Sequence, residues 1–179
     1  MGRILFKEEQ KFGSPGLYLS MGVIYAVTIS FFLFAMYSQF VLNEPIGDEP
    51  MTDKGLVLTS VLITLVLLIS GLFLFGSKLV VIISSENITL TFRPLIKKPI
   101  IFQPKDIQKY KVRKYKPIKE YGGWGVKQGT KKWGKAYNVK GNIGLQLHLN
   151  KGTKILIGTE RGESIDRAVR KMMEINKDG

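Results

Sequence analysis

Two uncharged apolar stretches, residues 17–42 and 56–75, occupy most of the first 76 residues of this 179-residue chain. A helix rises about 1.5 Å per residue, so some twenty residues match a hydrocarbon core about 30 Å thick. Tyrosines mark both ends of the first stretch, at Tyr18 and Tyr37, as in spans that reach the lipid headgroups. The rest of the chain has too little apolar surface to wrap two such helices. The sequence therefore predicts a hairpin of two membrane-spanning helices.

Lysine and arginine are distributed unevenly around the two stretches. The loop between them holds Glu44, Asp48, Glu49 and Asp53 against the single Lys54, whereas 23 of the 27 lysines and arginines follow residue 76. Cytoplasmic flanks of membrane spans carry an excess of these cations. We therefore predict a multi-pass protein of the plasma (inner) membrane with both termini in the cytoplasm.

Beyond the second stretch, the pattern changes to short β-branched or alternating segments separated by turn signals. Seven strands are predicted, at 79–84, 88–92, 99–103, 107–115, 135–139, 144–149 and 153–157. An amphipathic helix follows, with Ile165, Val169 and Met172 on one stripe, and we expect it to cover an open end of the sheet. The predicted domains are thus an N-terminal flank with the helical hairpin, 1–76, and a basic β domain, 77–179.

The order of these elements resembles a known fold. Seven strands in meander order and a capping helix resemble the pleckstrin-homology-like (PH-like) fold. Two spans followed by such a domain resemble small bacterial membrane proteins that carry a bacterial PH-like domain. The most similar stretches are 121–126, 135–142, 145–147 and 155–159. The resemblance implies an α-helical transmembrane hairpin plus an all-β binding domain. Eukaryotic PH domains recognise inositides with basic residues around the first hairpin turn, whereas the turn here is Ser-Ser-Glu-Asn, 84–87.

The chain carries few groups suited to catalysis. It has no cysteine, which excludes disulfides, thiolate nucleophiles, zinc–thiolate sites and iron–sulfur clusters. Its single histidine, His148, is directed outward beside Gln146 by the alternation of residues 145–149. The glycines of 122–125 lack the Lys-Ser/Thr of a phosphate-binding loop. We therefore predict a non-enzymatic protein with no catalytic residues, metal site or cofactor.

The informative constellation is basic and aromatic. Between Lys97 and Lys135, thirteen lysines and arginines are opposed only by Asp106 and Glu120, with tyrosines and tryptophans interleaved. This mixture suits either nucleic acid or an anionic membrane surface. The candidate lipid- or partner-binding residues are Arg93, Lys97, Lys98, Lys116, Lys119, Trp124, Lys127, Lys131, Lys132, Trp133 and Lys135.

Topology favours the membrane surface. In an up-and-down meander that begins at the bilayer, alternate turns return to it, and these are the basic connections 93–98, 116–134 and 150–152. The distal turns, 84–87 and 103–106, are nearly neutral. We therefore expect the domain to dock on anionic phospholipid, on a protein partner or on both, and not on nucleic acid. Two alternatives stay open: positive charge that only sets topology, and an accessory or regulatory subunit of a transporter or envelope complex.

Overall fold

The structure, a computed structural model, describes residues 2–13 and 15–177. It divides into two compact units. The described part of residues 13–75 forms a helical hairpin, and the described parts of 1–12 and 76–179 together form a β unit.

The hairpin consists of two long helices. Helix α1 covers Pro15–Tyr37 and continues as a π-helical turn over Ser38–Leu42, and α2 covers Asp53–Gly76. In the most apolar 18-residue stretch of each helix, only 6% of the first and 17% of the second are buried. Apolar side chains therefore face outward on nearly all sides. Both helices are long and apolar enough to cross a membrane.

Small and hydroxyl-bearing residues join the two helices. The Tyr25 hydroxyl donates to the Leu67 carbonyl oxygen at 3.0 Å and lies 2.7 Å from Ser70 Oγ. Ser60 and Gly71 are buried on α2. Close approach at small residues is the usual basis of helix pairing where lipid surrounds the helices.

Nine strands build the β unit as two sheets. The first sheet contains β1 (Ile4–Lys11), β2 (Lys78–Ser84), β3 (Ile88–Arg93) and β4 (Ile96–Phe102), in that spatial order. The second contains β5 (Ile107–Lys114), β6 (Gly125–Gln128), β7 (Lys135–Asn138), β8 (Ile143–Leu149) and β9 (Lys154–Gly158), in the order β5-β8-β9-β7-β6. A 3₁₀ turn, Pro104–Asp106, precedes β5, and α3 (Pro117–Tyr121) and α4 (Gly162–Ile175) complete the unit.

One apolar core lies between the sheets and α4. Alternate residues of β2, β3, β8 and β9 enter it, because side chains of a strand point to opposite faces in turn. Helix α4 adds Ile165, Ala168, Val169 and Met172, all buried. The predicted helix, its apolar stripe and its covering role are confirmed, as are the seven predicted strands.

The N-terminal flank differs from the prediction, which placed it with the hairpin. Residues 4–11 form β1, antiparallel to β2, and Phe6 is buried in the core. Glu8 and Gln10 also point inward, where Glu8 accepts from the Thr159 hydroxyl and Gln10 Nε2 donates to the Gly158 carbonyl oxygen at 2.9 Å. These hydrogen-bond partners lie far away in the chain, and Gln10 Oε1 is buried without one in the described structure, so local apolar alternation does not reveal the strand.

The second sheet is not a simple antiparallel meander. Part of the predicted connection forms the additional strand β6, antiparallel to β7, and β7 pairs in parallel with β9. The additional strand reverses the direction of every later strand, so the rule of alternate turns fails in this sheet. The Asn150 backbone and side-chain nitrogens donate to the carbonyl oxygens of Asp106 and Lys105, at 3.0 and 2.6 Å. Turns 103–106 and 150–152, predicted at opposite ends, therefore lie together.

Candidate functional site: the outer face of the second sheet

The second sheet has an apolar inner face, towards the core, and a polar outer face. Strand register aligns the outer side chains in rows across β5, β8 and β9. The first row is Lys109, His148 and Lys154, and the second is Lys111, Gln146 and Leu156. Neighbours in such rows have Cβ atoms about 5 Å apart. We call these two rows the outer face.

Part of the outer face lies beneath residues 116–134, which we call the covering segment. Tyr121 and Trp133 of this segment pack with Tyr115, Ala136 and Leu156 in a second, smaller apolar cluster. The rings of Tyr115 and Tyr121 meet edge to face with centroids 6.0 Å apart. Aromatic contacts of this geometry add to the stabilisation from burial alone. Tyr121 and Trp133 therefore anchor the covering segment on the sheet.

Specific contacts hold the end of the covering segment over the sheet. The Tyr121 hydroxyl donates to the Trp133 carbonyl oxygen at 3.2 Å, and burial raises the pKa of Tyr121 above its ordinary 10.0, so the hydroxyl keeps its proton. Lys154 Nζ donates to the Lys132 carbonyl oxygen at 3.0 Å. Gly134 has a φ of +76°, and a Cβ there would overlap the Lys154 carbonyl oxygen. Only glycine fits this close approach.

Arg113 connects the covering segment to the sheet. Its guanidinium pairs with Glu120 at 2.7 Å, donates to Gln146 Oε1 at 3.3 and 3.0 Å, and lies 4.9 Å from the centre of the Trp133 ring. Desolvation acts to raise the pKa of Glu120, but the hydrogen bonds from Arg113 and from the Lys116 amide together bring it below its usual 4.5. Glu120 is therefore ionised and neutralises Arg113.

A pocket of about 290 Å³ opens beside Trp133 on the outer face. Five cationic side chains line it, Lys109, Lys111, Arg113, Lys132 and Lys154, and no carboxylate does. Among the described residues, only Arg113 of these five has an acidic partner within 4 Å. Burial, followed by the charges of Lys154, Lys109 and Arg113, lowers the pKa of His148 below 6.5. We call this cavity the lysine pocket.

The eleven residues predicted as a binding site are distributed over several elements. Seven lie in the covering segment, namely Lys116, Lys119, Trp124, Lys127, Lys131, Lys132 and Trp133. Arg93, Lys97 and Lys98 belong to β3 and β4 of the first sheet. Lys135 begins β7 and lies on the same, inward face of that strand as Tyr137. The Lys135 Nζ is 5.5 Å from the centre of the Tyr137 ring. Only Lys132 and Trp133 of the eleven line the lysine pocket.

The remaining residues of the pocket were absent from the prediction. They are Lys109, Lys111, Arg113, Gln146, His148 and Lys154. The signal for the β5 cations is present in the sequence, because residues 109, 111 and 113 alternate with Tyr110 and Val112. A count of charges along the chain does not detect this signal, because the alternation of side chains determines which cations share a face of the strand.

Comparisons with known proteins add no family. No protein-family model matches the chain, and no curated protein matches it significantly. In residues 2–13 and 15–177, no group of three or more histidine, aspartate or glutamate side chains is placed to hold a metal ion. The functional interpretation therefore depends on the geometry and charge of the outer face.

Proposed function

We propose that this is a non-catalytic integral membrane protein, of the small bacterial two-span type, whose PH-like β unit docks on anionic phospholipid through the covering segment. The observation that carries the proposal is the composition of that segment's surface. It presents five lysines, while its single carboxylate, Glu120, is occupied by Arg113. Beside the lysines, Ile118 is 71% exposed and Trp124 is 37% exposed.

Both components of this surface suit a lipid headgroup layer. Each lysine near an anionic leaflet contributes about 1 kcal/mol, screened beyond roughly 8–10 Å. Exposed aliphatic and indole side chains partition into the interface, where Ile118 and Trp124 would shed water. The lysine charges attract the segment to the anionic leaflet, and Ile118 and Trp124 insert into the headgroup layer.

Strand pairing supports the proposed membrane topology. Strand β1 precedes the first helix and β2 follows the second, and the two pair along their length. Two crossings return a chain to the side from which it started, as this pairing requires. The acidic loop 43–52 then lies outside and the β unit lies in the cytoplasm.

Cysteine labelling tests this topology in the full chain, which has no native cysteine. We expect Asp48→Cys to react with an impermeant reagent from outside and Lys151→Cys to react only after permeabilisation. The reverse pattern would exclude every cytoplasmic partner proposed for the β unit.

The PH-like assignment is supported by two packed sheets and a C-terminal helix against their core. Two features depart from the expected pattern, namely the additional strand β1 and the parallel pair β7 and β9. A fold alone does not determine a function, so the functional proposal rests on the surface of the covering segment.

Docking is measured on the full chain in nanodiscs. The two tryptophans, Trp124 and Trp133, both lie in the covering segment and report its environment. With anionic phosphatidylglycerol present, we expect a blue-shifted emission relative to pure phosphatidylcholine, reversed by salt. Lys131→Glu with Lys132→Glu should abolish the shift, because it reverses two charges of the docking surface.

The matched control is Lys105→Glu with Lys151→Glu, which reverses two exposed lysines in the adjacent turns 103–106 and 150–152. This control should dock as the native chain does. If both double variants lose the shift equally, or if the native chain shows none, the covering segment is not a docking surface and its charge only sets topology.

A second candidate function, an accessory subunit of a membrane complex, is favoured by a groove of about 390 Å³ in the hairpin. Phe32 and Met36 of α1 and Ser60 and Thr64 of α2 line it. Hydroxyl groups in such a groove suit contact with a further helix. Purification from native membranes in mild detergent should then yield a stoichiometric partner that Thr64→Leu releases, and recovery of the chain alone would exclude this function.

A further inference from the structure

One polar group under the lysine pocket lacks a partner. Gln146 is only 5% exposed, and its Nε2 is buried without a hydrogen bond in the described structure. The orientation of the amide is fixed, because Arg113 has only donors and therefore requires the Gln146 oxygen. Nε2 remains an unpaired donor, on a side chain that lines the lysine pocket together with four lysines. An unpaired buried donor costs about 1–3 kcal/mol, which an acceptor from a ligand would relieve.

The first row of the outer face is also arranged for an anion. His148 lies directly between Lys109 and Lys154 across three strands, and Lys132 is added from the covering segment. The two lysines stand two strands apart, on either side of His148, and no carboxylate lines the pocket. Such a set of cations is complementary to a compact ligand with more than one negative charge.

The volume of the lysine pocket and the types of hydrogen-bond donor that line it narrow the class of ligand. At about 290 Å³, the pocket lies at the lower end of small-molecule sites, which span roughly 300–1,000 Å³. Lysines bind phosphate as mobile point charges and need no planar, bidentate acceptor. Lys109 and Lys111 share one face of β5, and Lys132 and Trp133 of the covering segment also line the pocket. Mobile point charges of this kind suit a tetrahedral dianion.

We infer that the lysine pocket binds a single dianionic phosphate group, either a phosphomonoester lipid headgroup or free phosphate, with its lysines neutralising the charge and Gln146 Nε2 donating. This inference deepens the proposed function where lipid is the source, but the site does not require docking. Docking by the covering segment responds to surface charge in general, whereas the pocket selects a terminal phosphate over a phosphodiester.

The test uses the full chain in phosphatidylcholine nanodiscs with inorganic phosphate as the probe. His148 is the chain's single histidine, so one imidazole signal in the NMR spectrum reports the pocket. We expect a saturable shift of that signal, and a higher pKa of His148 when phosphate is bound, because a neighbouring anion favours imidazolium. Chloride at equal ionic strength should produce no saturable shift. An identical response to both salts would overturn the inference.

Variants assign the response to the pocket. Lys109→Gln with Lys111→Gln should weaken phosphate binding about tenfold or more, since two charge-assisted contacts are lost. Lys97→Gln with Lys98→Gln, the matched pair on β4, should change it by less than about twofold. Gln146→Glu keeps the acceptor for Arg113 and replaces the donor by a carboxylate, so it should abolish binding. Equal weakening by the two lysine pairs, or native affinity in a folded Gln146→Glu variant, would contradict the site.

Nanodisc composition identifies the source of the phosphate. Phosphatidic acid presents a phosphomonoester and phosphatidylglycerol a phosphodiester. If the lipid is the source, phosphatidic acid alone should shift the His148 signal and free phosphate should compete with it. If only free phosphate shifts the signal, the pocket takes a soluble ligand. Salt-sensitive docking without any saturable phosphate response would overturn the pocket and leave the proposed function standing, and phosphate binding without docking would do the reverse.

Discussion

The two faces of the second sheet arise from the same alternation of side chains but differ in polarity and burial. The inner face carries Leu145, Leu147, Ile155 and Ile157, all buried in the main core. The outer face carries lysines, a histidine and a glutamine on the same strands, with only Leu156 enclosed in a second cluster. The inner face holds the unit together, whereas the outer face concentrates charge that the fold itself does not neutralise.

This difference shows where function is placed in such a unit. Apolar burial at the inner face provides most of the free energy of folding. That stability allows Lys109 and Lys154 to stand in one row with His148 between them, where burial and the two lysine charges lower the pKa of His148. Such a cationic surface is a candidate for ligand binding, since a bound anion would be attracted by both lysines.

The largest effect is expected at the main core. Val169→Asp places a carboxylate on the buried stripe of α4 and should lower the free energy of unfolding of the β unit by about 3 kcal/mol or more. Lys171→Asp, on the exposed side of the same helix, should change it by about 0.5 kcal/mol or less. Urea unfolding of the full chain, followed by tryptophan emission, measures both. Equal effects would mean that α4 does not pack on the core.

An intermediate effect is expected at the covering segment. Gly134→Ala introduces a side chain at positive φ, which costs about 1–2 kcal/mol, and forces the segment away from the Lys154 carbonyl oxygen. In a Trp124→Phe background, the emission of Trp133 should shift to the red and become more accessible to an aqueous quencher. Unchanged emission would show that Trp133 does not depend on this close approach.

A smaller effect is expected from the ion pair that joins the covering segment to the sheet. Because the pKa of Glu120 is lowered on folding, its ionised form stabilises the native state above the unfolded pKa of 4.5, and this stabilisation is lost as pH falls through the lower folded value. Glu120→Gln should therefore be less stable than the native chain near neutral pH, with the difference shrinking below pH 4.5. A difference that grows on acidification would contradict the assigned pair.

The smallest effect concerns the charge row itself. Lys109→Gln removes one of the cations that lower the pKa of His148, so that pKa should rise towards 6.5 and the free energy of unfolding should increase by a few tenths of a kcal/mol. NMR titration of His148 and urea unfolding provide the two values. A further fall in the pKa would show that Lys109 does not act on His148.

The sequence predicts the elements that follow local patterns. Both long helices, seven strands and the apolar stripe of α4 are recognisable because their burial follows a fixed period. Strand β1 is not, since its inward positions Glu8 and Gln10 are polar and form hydrogen bonds with residues about 150 positions away. Strand β6 has only four residues in a glycine-rich stretch, which leaves too short a pattern to recognise.

The candidate site is predictable only in part for the same reason. The basic character of residues 97–135 and the involvement of Trp133 are evident from composition. The lysine pocket also needs the register of β5 against β8 and β9, and β9 lies about 45 positions from β5 in the chain. The order of strands in a sheet is a tertiary property. A count of charges along the chain therefore treats Lys97 and Lys109 alike, although they lie in different sheets.

The most direct test of the central claim is hydrogen–deuterium exchange of the full chain in nanodiscs with and without phosphatidylglycerol. If the covering segment is the docking surface, anionic lipid should slow exchange in peptides from residues 116–134 and leave β2 and β3 unchanged. Salt should reverse the protection, because the contact is electrostatic. Protection confined to the first sheet, or no difference between the two lipid compositions, would contradict the account.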